Sequence, residues 1–90
     1  MNYKRINDIE LALLYINKGI EFSIKYQYLN FLADLLRIKY KLLYVIKQYE
    51  ESKLVFEQCI NIYLLQNKVD EYNNCTKELQ NEYPNIYERI

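Results

Sequence analysis

Apolar residues recur every three or four positions along most of this chain, which is the spacing of one face of an α-helix. Three short breaks interrupt the pattern and divide it into four stretches, each long enough for a globular helix. We therefore predict an all-α fold of four antiparallel helices, arranged as two stacked helix hairpins. The predicted helices cover about residues 8–25, 29–46, 49–65 and 69–83.

The residues at the ends of these stretches suggest how each helix begins or stops. Asn7 or Asp8 is expected to cap the first helix, because short polar side chains accept hydrogen bonds from free amides there. Asn67 is suited to close the third helix, since asparagine tolerates the left-handed conformation. Pro84 is expected to end the fourth. We predict a single domain over residues 1–83 and a loose tail over residues 84–90.

The second and fourth predicted helices differ in how much of their surface is apolar. The second is apolar over more than half of its circumference, which favours burial on two sides. The fourth has a narrow apolar stripe and an opposite face of acidic, amide and lysine side chains. The terminal helix of a stack needs one apolar face that packs on its neighbour and one polar face that meets solvent.

Composition excludes several functional classes. The 90 residues carry 12 basic and 12 acidic side chains and no histidine, so non-specific binding to nucleic acid or membranes is not favoured. The sequence contains no glycine-rich phosphate loop and no nucleophile motif, and we predict neither an enzyme nor a cofactor. Cys59 and Cys75 suit core packing better than a metal site, and with no secretory signal they indicate a reduced cytoplasmic protein.

A small–large–small pattern occurs twice at an offset of 40 residues, and Glu, Leu and Ile residues are repeated at the same offset. Small residues at this spacing let a neighbouring helix approach closely, and the large residue fills the groove between them. Such a period is typical of helical solenoids. The two copies of the packing pattern are Ala12, Ile16 and Gly19, and Ser52, Phe56 and Cys59.

The second copy resembles the second helix of a tetratricopeptide repeat, whose pattern there is Tyr-x-x-Ala-x3-Phe-x2-Ala. Residues 49–59 read Tyr-Glu-Glu-Ser-x3-Phe-x2-Cys, and the match extends over about residues 33–66. Lys47 stands where the family has a turn glycine, and the closing proline is absent. Taken as longer repeats rich in Tyr, Lys and Ile, the chain also resembles the C-terminal part of peptide-sensing transcription regulators of Gram-positive bacteria and their phages. The resemblance implies peptide binding.

In such repeats the first helix lines a groove that binds extended peptides. The corresponding stripe here contains Asp34, Arg37, Lys41 and Tyr44, and Asn30 extends it by one turn. Arg37 and Lys41 are suited to hold a peptide carboxylate through charge-assisted hydrogen bonds. The alternative is an ordinary solvated face on which nothing binds.

Self-association is expected from the shortage of core-forming repeats. Two hairpins rarely bury a solenoid core alone, and the charge is divided between a half with net charge +3 (residues 1–45) and a half with net charge −3 (residues 46–90). We therefore expect a protein- or peptide-binding module that forms a homodimer. The alternative is a small obligate dimer from a phage or mobile element that blocks or scaffolds a partner protein through an acidic surface. That surface would comprise Glu71, Glu78 and Glu82.

Overall fold

The computed structural model describes the backbone of residues 3–87 and the side chains of residues 7–87. Within this range the fold is all-α, as predicted. Residues 1–2 and 88–90, which the predicted domain and tail include, lie outside the described residues. The helices are α1 (Tyr3–Lys25), α2 (Leu29–Val45), α3 (Tyr49–Leu65), α4 (Val69–Glu82) and a short α5 (Pro84–Tyr87).

The three connections between the long helices share one geometry and follow each other at intervals of 20 residues. Each contains a residue with positive φ: Gln27 at 59°, Lys47 at 65° and Asn67 at 58°. In each, the amide of that residue and the next amide bond to the carbonyls three and five positions before them, as Gln48 N does to Leu43 O at 2.9 Å. This is the Schellman ending of a helix.

Two boundaries differ from those predicted. α1 begins at Tyr3 and not at an Asn7 or Asp8 cap, because residues 3–8 include no helix breaker and continue the helical spacing of the stretch that follows. The predicted loose tail begins instead with α5. Ile86 is fully buried, and α5 lies against α3 and α4. Its burial explains why a turn forms after Pro84, which suits a first helical position.

The long helices pack consecutively, with α1 against α2, α2 against α3, and α3 against α4. The core is centred on α2 and α3, where Tyr40, Phe56 and Tyr63 are almost completely buried. The rings of Tyr40 and Phe56 meet edge to face with centroids 5.3 Å apart, a geometry that adds about 0.5–1.5 kcal/mol to area burial. Two-sided burial of α2, expected from its sequence, follows from its central position.

The small–large–small pattern of α3 is buried throughout. Ser52, Phe56 and Cys59 are at most 1 % exposed. The Ser52 hydroxyl donates to the carbonyl of Tyr40 at 2.6 Å, and the Cys59 thiol donates to the carbonyl of Ala33 at 3.2 Å. Small side chains at these positions therefore let α3 reach the backbone of α2.

The corresponding triad of α1 is half-buried: Ala12, Ile16 and Gly19 all retain some exposure. A β-carbon on Gly19 would meet a methyl group of Leu35 at 3.3 Å, so α1 also approaches α2 closely at this point. The first triad thus packs on one neighbour, whereas the second lies in the core. No helix in the described part of the chain has the length and apolar character needed to cross a membrane.

Candidate partner-binding surfaces

The stripe predicted to bind a peptide lies along α2, and the structure places α4 beside it. Arg37 donates to Glu71 at 3.0 Å and to Glu78 at 3.2 Å. Lys41 forms an ion pair with Glu78 at 2.6 Å. The two cations predicted to hold a peptide carboxylate therefore hold two carboxylates of the same chain.

The other members of the stripe also have partners within the fold, except at its outer end. The Tyr63 hydroxyl donates to Asp34 at 2.7 Å. The ring of Tyr44 lies edge to face with Tyr83, with centroids 4.8 Å apart. Asn30 is exposed. The sequence correctly groups these residues on one face, and the contacts show that most of this face packs on α3, α4 and the residue that follows α4.

Glu78 is the centre of this network. The Tyr40 hydroxyl donates to its carboxylate at 3.2 Å, and the Cys75 thiol lies 3.8 Å behind that hydroxyl as a donor to it. Burial opposes ionisation of Glu78, but the hydrogen bonds and charges of Lys41 and Arg37 outweigh burial and lower its pKa. Burial raises the pKa of Tyr40, so its phenol remains a neutral donor. The network is thus charged where it meets solvent and neutral where it enters the core.

An outside ligand on this stripe would have to compete with Glu71 and Glu78. Peptide binding by the stripe stays a prediction. The Arg37 side chain is only 21 % exposed, and its guanidinium pairs with carboxylates of α4. The acidic surface of the alternative hypothesis is reduced for the same reason. Among its three members, Glu71 and Glu78 are paired with cations of α2, and Glu82 is exposed.

A second surface is an open groove between α1 and α3, which sequence reasoning missed. It has a volume of about 360 Å³. Leu32 and Leu36 of α2 form its apolar floor and are 7 % and 5 % exposed. The residues that line it are Ile20, Ile24, Leu32, Leu36, Gln58, Asn61 and Ile62.

The lining of this groove carries no charge. None of its lining side chains is titratable, and the polar groups are the exposed amides of Gln58 and Asn61, one turn apart on α3. Such amides donate and accept hydrogen bonds without charge. The only signal in the sequence was this pair of amides beside Ile62, and it is too common to identify a groove without knowledge of which helices flank α2.

A third surface is the side of α1 that faces away from α2. Leu11, Leu14, Tyr15 and Phe22 are each 50–63 % exposed there. Beside them the ring of Phe22 lies 4.6 Å from that of Tyr26 and 5.9 Å from that of Tyr28. We name the four residues the outer face of α1. The chain therefore keeps an apolar surface on each side of its first helix.

The two cysteines are fully buried and free. Cys59 donates to the α2 backbone, and Cys75 packs at Tyr40. The hydrogen bond to Cys75 and burial raise the pKa of the Cys59 thiol. Both positions agree with the packing role expected from the sequence.

Comparison of the chain with protein-family models, with curated proteins and with solved structures gave no match.

Proposed function

We propose that this protein is a protein- or peptide-binding helical module, and that the groove between α1 and α3 holds an apolar segment of the partner. The observation that carries this proposal is that α4 covers one side of α2, whereas the side between α1 and α3 is open. Ion pairs from Arg37 and Lys41 join α2 to α4, whereas α1 and α3 leave a cavity of about 360 Å³ over α2.

The size and lining of the groove favour a segment of polypeptide. Pockets for small ligands span roughly 300–1,000 Å³, so this groove is at the lower end and suits a few side chains. An apolar floor receives such side chains. The amides of Gln58 and Asn61 on the rim are suited to pair with backbone N–H and C=O groups, which must find partners when they leave water.

The absence of charge in the lining sets the chemistry of the segment. A carboxylate or ammonium group placed over Leu32 and Leu36 would lose hydration and gain no ion pair. We therefore propose a neutral, apolar segment. The resemblance to peptide-sensing regulators agrees with this proposal, and the free thiols agree with action in a reducing cytoplasm.

The proposal is tested with a library of acetylated and amidated octapeptides, whose binding is measured by fluorescence polarisation. Ile24 is 60 % exposed on the groove wall, so Ile24→Lys adds a charge to the groove at little cost to folding. We expect peptides rich in Leu, Ile and Phe to bind, and Ile24→Lys to weaken them at least tenfold. Leu54→Lys is the matched control, because Leu54 is 58 % exposed and does not line the groove.

Two results would contradict the proposal. The first is equal binding by Ile24→Lys and the Leu54→Lys control. The second is selection of acidic peptides whose binding is unchanged by Ile24→Lys. That result would show that the ligand binds Arg37 and Lys41, where it competes with Glu78.

The second candidate function is the helical dimer that scaffolds or blocks a partner. The exposed outer face of α1 favours it, since apolar patches of this kind mark interaction surfaces. Glu82, the exposed acid at the end of α4, then contributes to partner binding. Glu82→Lys should weaken capture of that partner and leave binding of apolar octapeptides unchanged.

A further inference from the structure

We propose that the outer face of α1 binds a second copy of the chain, with the two α1 helices antiparallel about a twofold axis. This inference does not depend on the groove proposed above to bind a partner, and it assigns the dimer contact that the second candidate function requires. The groove is formed by the side of α1 that carries Ile20 and Ile24, whereas the outer face points away from α2.

The outer face has the pattern of a helix that packs on two sides. Three of its residues, Leu11, Tyr15 and Phe22, lie in one stripe with Lys18, because the four follow each other by four, three and four residues. Ile9, at 8 % exposure, is directed at the core from the opposite side. A helix with one neighbour needs a single apolar stripe, and α1 has a second one that no part of the described chain covers.

The two ends of the helix stack differ in polarity: α1 forms an apolar end and α4 a polar one. α4 presents acidic and amide side chains to solvent at its end, and the exposed residues Asp70, Asn73 and Asn74 illustrate this. A stack of helices needs a polar face at each end to remain soluble. Pairing of α1 with α1 of a second copy covers both apolar ends with one contact and leaves the polar α4 ends outermost.

The exposed area is close to what a stable interface needs. The outer face together with Tyr26 and Tyr28 comprises six large side chains, each at least half exposed. The four aromatic side chains among them present about 150–250 Å² each, so with the two leucines roughly 600 Å² is open to solvent. Standard interfaces bury about 800 Å² per partner. The stem of Lys18, which is exposed in the same stripe, adds to this area.

The order of the side chains selects the antiparallel arrangement. Leu11 and Phe22 lie at equal distances from the midpoint between residues 16 and 17, and so do Tyr15 and Lys18. An antiparallel pair crossing at this midpoint places Leu11 against the partner's Phe22 and Tyr15 against the partner's Lys18. Lys18 already lies 5.9 Å from the ring centroid of Tyr15 in its own chain, a cation–π distance.

A parallel pair is less favourable because each Lys18 would lie opposite its own copy. Like charges that face each other across an interface repel, and the antiparallel pair avoids this contact. The formal net charge of the whole chain is zero, so two copies approach without overall repulsion. A second copy is therefore the partner whose shape and charge this face fits.

The oligomeric state is measured by sedimentation equilibrium of the untagged chain between 10 and about 200 µM. We expect a mass of twice 11.1 kDa. Tyr15→Glu/Phe22→Glu should raise the dissociation constant at least 30-fold, since both side chains are more than half exposed but central to the contact. Leu54→Glu, a change of equal exposure on α3, should leave the dimer intact.

Orientation is measured by disulfide trapping of single-cysteine additions. The expected result is that Leu11→Cys cross-links to Phe22→Cys when the two variants are mixed, and that neither cross-links to itself. The native chain is the background control, because Cys59 and Cys75 are fully buried. Trapping also decides the case if the double glutamate variant loses its helical circular dichroism.

Three outcomes would overturn the inference. A monomer at about 200 µM would show that the face does not bind a second copy. A dimer that tolerates Tyr15→Glu/Phe22→Glu but not Leu54→Glu would place the interface on α3. Self-cross-linking of Leu11→Cys, without cross-linking to Phe22→Cys, would show that the helices are parallel.

Discussion

Glu78 joins three residues of α2 to α4, and Glu78→Gln should therefore destabilise the fold measurably. The substitution keeps the size of the side chain and one acceptor oxygen, and it removes the negative charge. The charge receives a hydrogen bond from Arg37 at 3.2 Å and one from Lys41 at 2.6 Å. Arg37 retains its pair with Glu71 in the variant, so the loss is partial.

The magnitude follows from the exposure of the network. Hydrogen bonds to charged groups contribute about 1.5–3 kcal/mol, whereas exposed ion pairs contribute about 0.2–1 kcal/mol. The Arg37 and Glu78 side chains are 21 % and 22 % exposed, and that of Lys41 is 35 % exposed. Between these limits, we expect Glu78→Gln to lower the free energy of unfolding by roughly 1–2 kcal/mol at pH 7.

Urea unfolding followed by circular dichroism at 222 nm measures this loss. With a urea dependence of about 1 kcal/mol per molar, the midpoint should fall by about 1 M or more. Glu82→Gln is the matched control, because Glu82 is an exposed acid of the same helix that forms no ion pair among the described residues. Equal midpoints for the two variants would refute the argument.

The pH dependence provides an independent test. The folded state lowers the pKa of Glu78 below its ordinary value of 4.5, so the unfolded chain binds the proton more tightly. The stability that this group contributes is present above about pH 4.5 and is lost as the pH falls through the lower pKa of the folded state. The native chain should therefore approach Glu78→Gln in stability as the pH falls below 4.5. A difference between them that is constant from pH 7 to pH 3 would contradict this account.

Four further substitutions test the turns, the contact between α1 and α2, and the core, each by the same urea titration. Lys47→Gly should stabilise the chain by about 0.5–1 kcal/mol, because glycine has no steric cost at φ of 65°. Asn67→Gly should change the free energy of unfolding less, since asparagine already tolerates that conformation. Gly19→Ala should stabilise by up to about 0.5 kcal/mol, because alanine favours the helix and its β-carbon meets only the flexible methyls of Leu35; destabilisation would mean that Leu35 cannot move. Phe56→Ala, at a fully packed site, should cost about 3–5 kcal/mol, and a loss below about 1 kcal/mol would show that the core collapses around it.

The all-α fold and the positions of its four long helices were predictable, because the helical spacing of apolar residues is regular and the breaks between the stretches are short. The ends of α2, α3 and α4 lie within one residue of the predicted ends. The turn at Asn67 was predictable from its side chain. The breaks at Gln27 and Lys47 were also predicted, but their left-handed conformation was not, because these residue types seldom adopt it. There the hydrogen bonds of the Schellman ending outweigh the residue's own preference.

The candidate surfaces were harder to predict because they depend on which helix covers which face. The stripe of Arg37 and Lys41 was placed correctly on α2, but the sequence gives no measure of how close Glu71 and Glu78 come to it. The groove needs three helices to form, and its floor residues, Leu32 and Leu36, look like ordinary core residues in the sequence. Spacing along one helix predicts a face, whereas a groove is a property of several helices together.

The consecutive packing of the long helices also determines how the chain folds and opens. Each helix finds its main neighbour after a turn of three residues, so few native contacts require the closure of a long loop. Topologies with such local contacts fold within microseconds to milliseconds as a rule. α2 and α3 hold the most buried residues and form the cooperative centre, while α1 is anchored on one side only. Amide protons should therefore exchange fastest in α1 and slowest along α2 and α3, and a partner that covers α1 converts the most easily opened part of the fold into a protected one.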